Sequence, residues 1–439
     1  MAPVVASQLF APPSTPHHPK LLEKAARPGR IQGVAVDILT AIQEQPLHAQ
    51  QILKDSLRQA RQLHSRERRF VSDGLYQILR YRSVIDEALG VHDPLARWYG
   101  YLAWQGAQTD ALVNAYQTLN AASHPNFENM HRVQEWVAQQ IQCRPLDEAA
   151  SLLGGFSTPS TSILLQALAE DFWAFLSASN QRAPVDIRAN PHRCDRERLR
   201  SALAERGIHT QPIESTEHGL RLENKANLHG HPAWQQGWFE VQDAGSQQVA
   251  SFCSPITGPV VDFCAGAGGK TLALASLHPN RHILALDVRE HALTELQKRA
   301  KRARLHRVQV ETMPPNGALP PTAKHLIGKT HCVLVDAPCT GTGTLRRHPE
   351  IRLRFSPSEL KHCVELQASI LRRAAPLVAP GGKLIYATCS VLPEENEYQA
   401  QRFLAEHEDF HQVGEPLHLL PHVHHTDGFY AVSLARKTS

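Results

Sequence analysis

The chain has 439 residues, too many for one ordinary core, so two or three domains are expected, and its 42% apolar residues are enough to fill them. Charged residues total 20% and the formal balance is +4, a surplus too mild to demonstrate a nucleic-acid partner by itself. Eight cysteines without CxxC pairs or matched spacing argue against a disulfide framework and a metal site, and no segment has the apolar length of a membrane span or a signal peptide, so a cytoplasmic chain with free thiols is expected.

Residues 1–20 are rich in Pro, Ser and His and read as a flexible tail. Over residues 21–145 apolar positions recur at helical spacing, as in Ile31, Val34, Ala35, Ile38 and Ile42 and again in Val71, Leu75, Ile78 and Leu79, which predicts an all-helical domain. One helix is preceded by SRERRF and expected to continue to LRYRSVIDE, and the arginines flanking its apolar face include Arg66 and Arg69. A solvated helix face and contact with RNA phosphates weigh evenly there. Residues 150–236 mix helical stretches such as ILLQALAEDFWAFLSAS with strand candidates PVDIRAN and HGLRLEN, a small α+β module. From 237 to 436 short apolar runs alternate with helical patterns: GPVVDFCAG, RHILALDV, HCVLVDAP and GKLIYATCS. That alternation predicts a doubly wound, Rossmann-like α/β sheet of parallel strands, with function at the carboxyl ends.

The first of those strands runs into Cys264, Ala265, Gly266, Ala267, Gly268, Gly269 and Lys270. Glycines at a strand-to-helix turn let backbone approach a ligand closely. A phosphate-binding P-loop would need glycine where Cys264 stands, and the dinucleotide pattern GxGxxG fails at Thr271. Asp287 ends the second strand, where a carboxylate can accept from two ribose hydroxyls or cap the next helix. A loop without phosphate-binding residues beside a ribose-binding acid suggests an adenosyl ligand such as S-adenosylmethionine, with Cys264, Ala265, Gly266, Gly268, Gly269 and Asp287 as its binding set.

The last two of the quoted strands end near Cys339, in DAPCTGTG, and at Cys389, in TCSVLPEEN. Two thiols at one sheet rim have a use in methylating carbon 5 of cytosine. A thiolate must add at carbon 6 to make carbon 5 nucleophilic, and a second group can assist removal of the carbon-5 proton and release of the sulfur. Asp336 stands where an acid would meet ring nitrogen N3. The chemistry alone leaves open which cysteine attacks. Cys143, Cys194, Cys253, Cys332 and Cys363 read as packing residues, as does the thiol of Cys264. Two basic stretches, QKRAKRARLHR and LRRHPEIRLR, flank the motifs, and RNA contact is expected for Arg346, Arg347 and His348. The target base must leave its stack, so single-stranded loops and bulges are the natural substrates.

DFCAGAGGKT, DAPCTGTG and YATCSVLPEEN together resemble the NOL/NOP/Sun family of RNA (cytosine-5)-methyltransferases, as do GWFEVQDAGSQQVA, RRHPEIRLR and TDGFYAVSLARK. RRHPEI with the helical N-terminal region looks most like the bacterial branch acting on small-subunit ribosomal RNA. By that resemblance, residues 21–145 are similar to the antitermination factor NusB and the middle module to an RNA-recognition fold. Cys389 would be the nucleophile and Cys339 would promote product release, whereas DNA cytosine methyltransferases attack with the cysteine of a Pro-Cys motif, here Cys339. Lys270 and Asp287 would lie in the cofactor site and Asp336 would touch both base and cofactor. The family usually reads Ala-Pro where this chain has Gly266-Ala267, and its aspartate after the third strand is absent from VQVETMPPNG, where Glu311 or a backbone carbonyl would substitute. A monomer acting on ribosomal RNA is expected. The rivals are a transfer-RNA methyltransferase of the same family and a non-catalytic RNA-binding assembly factor.

Overall fold

A computed structural model describes residues 19–120, 123–314 and 318–438, so residues 1–18 of the expected tail lie outside the described residues. The chain divides into two compact units, Met1–Gln181 with Leu345–Glu359, and Arg182–Thr344 with Leu360–Ser439.

The described elements of the first unit are helices. Arg30–Glu44 buries Ile31, Val34, Ala35, Ile38 and Ile42, the stripe expected from their spacing. Ser65–Arg80 starts with a capping box in which Glu67 accepts from the His64 amide at 2.9 Å, and it buries Phe70, Val71, Leu75, Ile78 and Leu79. It stops at Tyr81, and Arg82–Leu89 is a separate helix rather than the predicted continuation. The helix Pro94–Trp104 takes Pro at its first turn and Asp93 as its cap, and buries Trp98, Tyr99 and Tyr101. Phe70 meets Trp98 edge to face at 5.8 Å. The segment Leu345–Glu359 is held by polar groups: Arg80 Nη2 donates to the Arg346 carbonyl at 3.0 Å, Arg352 Nε to the Gly154 carbonyl at 2.9 Å, and Ser160 Oγ to the Phe355 carbonyl at 2.8 Å. The helices Thr158–Leu168 and Phe172–Asn180 belong to this unit, although the sequence groups them with the segment 150–236. Ser160 Oγ on the Phe355 carbonyl and Arg352 Nη2 on Asn180 Oδ1, at 2.8 Å each, tie them to this unit.

The second unit holds two sheets. Strands β1 (Asp186–Ala189), β2 (Thr210–Pro212), β3 (Gly219–Leu222) and β4 (Phe239–Val241) form an antiparallel sheet in the order β2-β3-β1-β4, with β1 and β3 where PVDIRAN and HGLRLEN predict strands. Leu199 and Leu203 of the helix Arg196–Ala204 pack on its Ile187, Leu220 and Phe239. The larger sheet comprises β5 (Val260–Asp262), β6 (Ile283–Asp287), β7 (Val308–Thr312), β8 (Thr330–Asp336), β9 (Val378–Thr388), β10 (Phe410–Gln412), β11 (Leu417–Leu419) and β12 (Phe429–Arg436). Its order is β10-β12-β9-β8-β5-β6-β7, with β11 also on β12. The strands β5 to β9 pair in parallel, as expected, whereas β12 runs antiparallel to β9 and carries β10 and β11 antiparallel to itself. Alternate residues feed two cores: Val261, Leu284, Leu286, Val333, Val335 and Leu384 on one face, and Val260, Ile283, Ala285, Cys332, Leu334 and Ile385 on the other. The chain winds outward from β5 through β6 to β7, then returns to β8 on the other side of β5. The carboxyl ends of β5 and β8 therefore flank a topological switch point, the usual place for a ligand crevice.

Candidate active site

Asp262 closes β5 with 1% of its surface exposed and accepts from Thr271 Oγ1 at 2.6 Å. Burial pushes its carboxyl up to about 7, against the opposing effect of the Thr271 hydrogen bond. The loop that follows turns through two left-handed glycines, Gly266 and Gly268 with φ of 53° and 86°. A side chain at Gly268 would put its Cβ 2.1 Å from Leu296 Cδ1, so the close approach of loop and helix requires glycine. Ala265 donates its amide to the Leu286 carbonyl at 2.9 Å, and Gly269 opens the helix Gly269–Leu277. The Cys264 side chain packs against the core on one sheet face, as expected, and burial raises its thiol well above the ordinary range.

Asp287, buried at the end of β6, accepts from the Gly266 amide at 2.8 Å and from the Arg289 amide, Nε and Nη2 at 2.9, 3.0 and 3.1 Å. Burial works to raise its carboxyl, but the bonds from Arg289 and Gly266 prevail and hold it below the usual carboxylate range. On the neighbouring strand, Glu311 pairs in register with Leu286 and keeps a buried Oε2 without a hydrogen-bond partner among the described residues.

Lys270 Nζ donates to Asp336 Oδ2 at 2.7 Å and lies 5.0 Å from the centroid of the Phe429 ring. Burial works to lower the ammonium's pKa, and the Asp336 carboxylate more than offsets it, so Lys270 stays charged. Strand pairing sets Asp336 opposite Ala387, and the Ala337 amide extends that ladder to the Ala387 carbonyl at 2.8 Å. Adjacent parallel strands thus deliver both thiols to one rim, and the Cys339 and Cys389 sulfurs are 3.4 Å apart. Their hydrogen bond and burial raise the Cys339 thiol well above the ordinary range.

Groups that motif spacing did not single out fix the two cysteine loops. Glu395, fully buried, accepts from the Thr340 amide at 2.9 Å, Thr340 Oγ1 at 2.5 Å and Gln367 Nε2 at 2.9 Å. Thr342 Oγ1 bonds Ser390 Oγ at 3.1 Å and accepts from the Val391 amide at 3.1 Å. The Gly343 amide donates to the Cys389 carbonyl at 2.9 Å. The quoted PEEN run contained Glu395, but only contacts across the fold reveal its partner.

Of the basic residues singled out, Arg66 and Arg69 are exposed on the helix Ser65–Arg80, whereas Arg346 is buried and Arg347 and His348 are partly buried. These five lie in the first unit, and Cys339, Cys389 and residues 264–270 lie in the second. Among the described residues no group of His, Cys, Asp and Glu could hold a metal, and no helix is long and apolar enough to cross a membrane.

Residues 257–435 match the family model described as 16S rRNA methyltransferase RsmB/F, and residues 162–229 match the ferredoxin-like domain of RsmF/B-like methyltransferases. The chain is similar to ribosomal RNA small subunit methyltransferase B of Klebsiella pneumoniae subsp. pneumoniae, 30% identical over 381 residues that cover 83% of this chain and 80% of the relative. The protein of the same name from Citrobacter koseri is 34% identical over 303 residues, covering 65% and 70%. A solved methyltransferase homolog protein from Pyrococcus horikoshii superposes with a TM-score of 0.58 at 26% identity, over 67% of this chain and 99% of that one.

Proposed function

Because the chain belongs to the RsmB/F family of 16S rRNA methyltransferases, we propose that it methylates carbon 5 of a cytosine in small-subunit ribosomal RNA through a covalent bond from Cys389. It is an rRNA methyltransferase of the S-adenosylmethionine-dependent kind. The observation that carries the finer reading is the 3.4 Å approach of two cysteine sulfurs beside Asp336.

The donor set fits the cofactor. Asp287 is an ionised acceptor for ribose hydroxyls, the backbone of Gly266, Gly268 and Gly269 leaves room for close approach, and the orphaned Oε2 of Glu311 is an acceptor for the adenine amine. Cys264, Ala265, Lys270 and Asp336 complete the set. When bound, S-adenosylmethionine supplies an electrophilic methyl group.

The chain's own residues account for the rest. Cys389 adds as thiolate to carbon 6, which makes carbon 5 nucleophilic. The Asp336 carboxylate, held by Lys270, accepts from the cytosine amine and from N3, which takes a proton from solvent as the adduct forms and returns it as the sulfur leaves. With Cys389 bonded to carbon, the proton of Cys339 passes to solvent. Cys339 then takes the proton of the methylated carbon 5, the bond from sulfur to carbon 6 breaks, and Cys389 leaves as thiolate. One proton is released per methyl transferred, and the pair returns to its starting state.

The test is a denaturing gel of the Cys339→Ala variant incubated with S-adenosylmethionine and small-subunit rRNA. A covalent protein–RNA band is expected, absent from the Cys339→Ala/Cys389→Ala double variant, with 5-methylcytosine lost in Cys389→Ala. A band that persists without Cys389, or wild-type methylation at a position other than cytosine carbon 5, would sink the reading. Partly assembled subunits in place of free rRNA keep a missing assembly from passing as a negative.

A further inference from the structure

We propose that Arg299 and Gln242 are positioning residues for the cofactor loop, bracing it from β4 of the four-stranded module. This rests on the cofactor reading above. Arg299 Nη1 donates to the Ala267 carbonyl at 2.5 Å, while its Nε and Nη2 are held by Glu240 on β4 at 3.2 and 3.0 Å. Glu240 is 3% exposed and also binds Arg302, whose guanidinium lies 3.5 Å from the Trp234 ring centroid. Arg299 is therefore fixed before it meets the loop.

Immediately after β4, Gln242 Nε2 donates to the Gly269 carbonyl at 3.2 Å, with its own oxygen held by Arg188 Nε at 2.8 Å. The Ala267 carbonyl of the loop and the Gly269 carbonyl at the start of the helix that follows are thus gripped by side chains whose other ends are anchored in the module. The loop needs such a grip. Gly266 and Gly268 stand in left-handed conformations that glycine leaves freely, and Ala267 between them has no ring to lock its backbone. A loop that wandered in the free protein would have to be ordered at binding, and that cost would appear as weaker affinity. The brace lowers it without touching the ligand.

The experiment is calorimetric titration of S-adenosylmethionine into the full chain, paired with turnover on rRNA at saturating cofactor. Arg299→Gln should raise Kd by about tenfold, the scale of one charge-assisted hydrogen bond, and leave saturated turnover unchanged. Glu240→Gln added to it should weaken binding no further, because both act through the Ala267 carbonyl, whereas Gln242→Leu should add its own loss. Arg299→Lys guards against a folding artefact. It keeps a cation for Glu240 but cannot hold the carboxylate and the Ala267 carbonyl together, so it should keep the native melting temperature and still bind weakly. A Kd for Arg299→Lys within about twofold of wild type would overturn the brace. So would equal losses of affinity and saturated turnover in Arg299→Gln. Asp287→Ala separates the two ideas: if it binds S-adenosylmethionine as wild type does, the cofactor reading fails, whatever Arg299 does.

Discussion

Replacing Glu395 by alanine tests how the Cys339 loop is held. The carboxylate receives three hydrogen bonds, from the Thr340 amide, Thr340 Oγ1 and Gln367 Nε2, at 2.9, 2.5 and 2.9 Å. Hydrogen bonds to a charged group contribute about 1.5–3 kcal/mol each, but the three share one acceptor and do not add. Burial opposes them by raising the carboxyl's pKa, so part of the gross gain is offset. A net loss of about 3 kcal/mol is expected for Glu395→Ala, most of it from stranding the Thr340 amide and the Gln367 donor. Glu395→Gln keeps one carbonyl oxygen for those two donors, and its amide can donate to Thr340 Oγ1, so it should cost about 1 kcal/mol. Urea unfolding followed by tryptophan fluorescence measures both. The alanine variant should also release product slowly and accumulate the covalent RNA band, because Cys339 immediately precedes Thr340. Equal destabilisation by Ala and Gln would refute the hydrogen-bond account, and a stable alanine variant with normal turnover would refute the loop's dependence on Glu395.

Asp262 gives a signed pH dependence. Its carboxyl is raised from 3.8 to about 7, so between those values the folded chain binds a proton that the unfolded chain does not. Stability should therefore fall as pH rises through that window, by at most about 4 kcal/mol, and Asp262→Asn should flatten this part of the curve; urea midpoints that keep their slope in the variant contradict it. At Gly343 a Cβ would lie 2.4 Å from the Gly428 carbonyl oxygen and 2.8 Å from that of Cys389, backbone atoms that no rotamer change can move. Gly343→Ala should cost about 1–3 kcal/mol and abolish methyl transfer while S-adenosylmethionine still binds, and wild-type turnover would count against this packing.

Much of the architecture is legible because it repeats locally. The strands β5, β6, β8 and β9 announce themselves as apolar runs between helical patterns, and their parallel pairing follows from the helices between them. The antiparallel edge is not legible in that way. Strands β10 and β11 have three residues each, too few to establish a period, and β12 reaches β9 only because the chain folds back over them. The unit to which the helices before β1 belong is not legible for a related reason. Helical spacing in Thr158–Leu168 and Phe172–Asn180 declares helices but not their neighbours, and those neighbours include Phe355, distant in sequence.

The same division separates the two kinds of site residue. Cys339, Cys389, Asp287 and Lys270 stand at strand ends or helix starts, positions that a one-dimensional pattern marks, and the sheet brings them together by its order. Residues that hold those groups in place carry no such mark. Glu395 lies in a quoted motif, yet its partners Thr340 and Gln367 are visible only as distances, and Arg299 reads as one more charge in a basic helix until its guanidinium is found between Glu240 and the Ala267 carbonyl. Composition misleads in the same way at LRRHPEIRLR. Arg352 in that run is 3% exposed, spends its guanidinium on the Gly154 carbonyl and Asn180, and burial lowers its pKa to about 9. A charged residue is thus no evidence of a charged surface until burial is known. In this chain at least two arginines of the basic stretches, Arg299 and Arg352, act on backbone carbonyls of the protein itself.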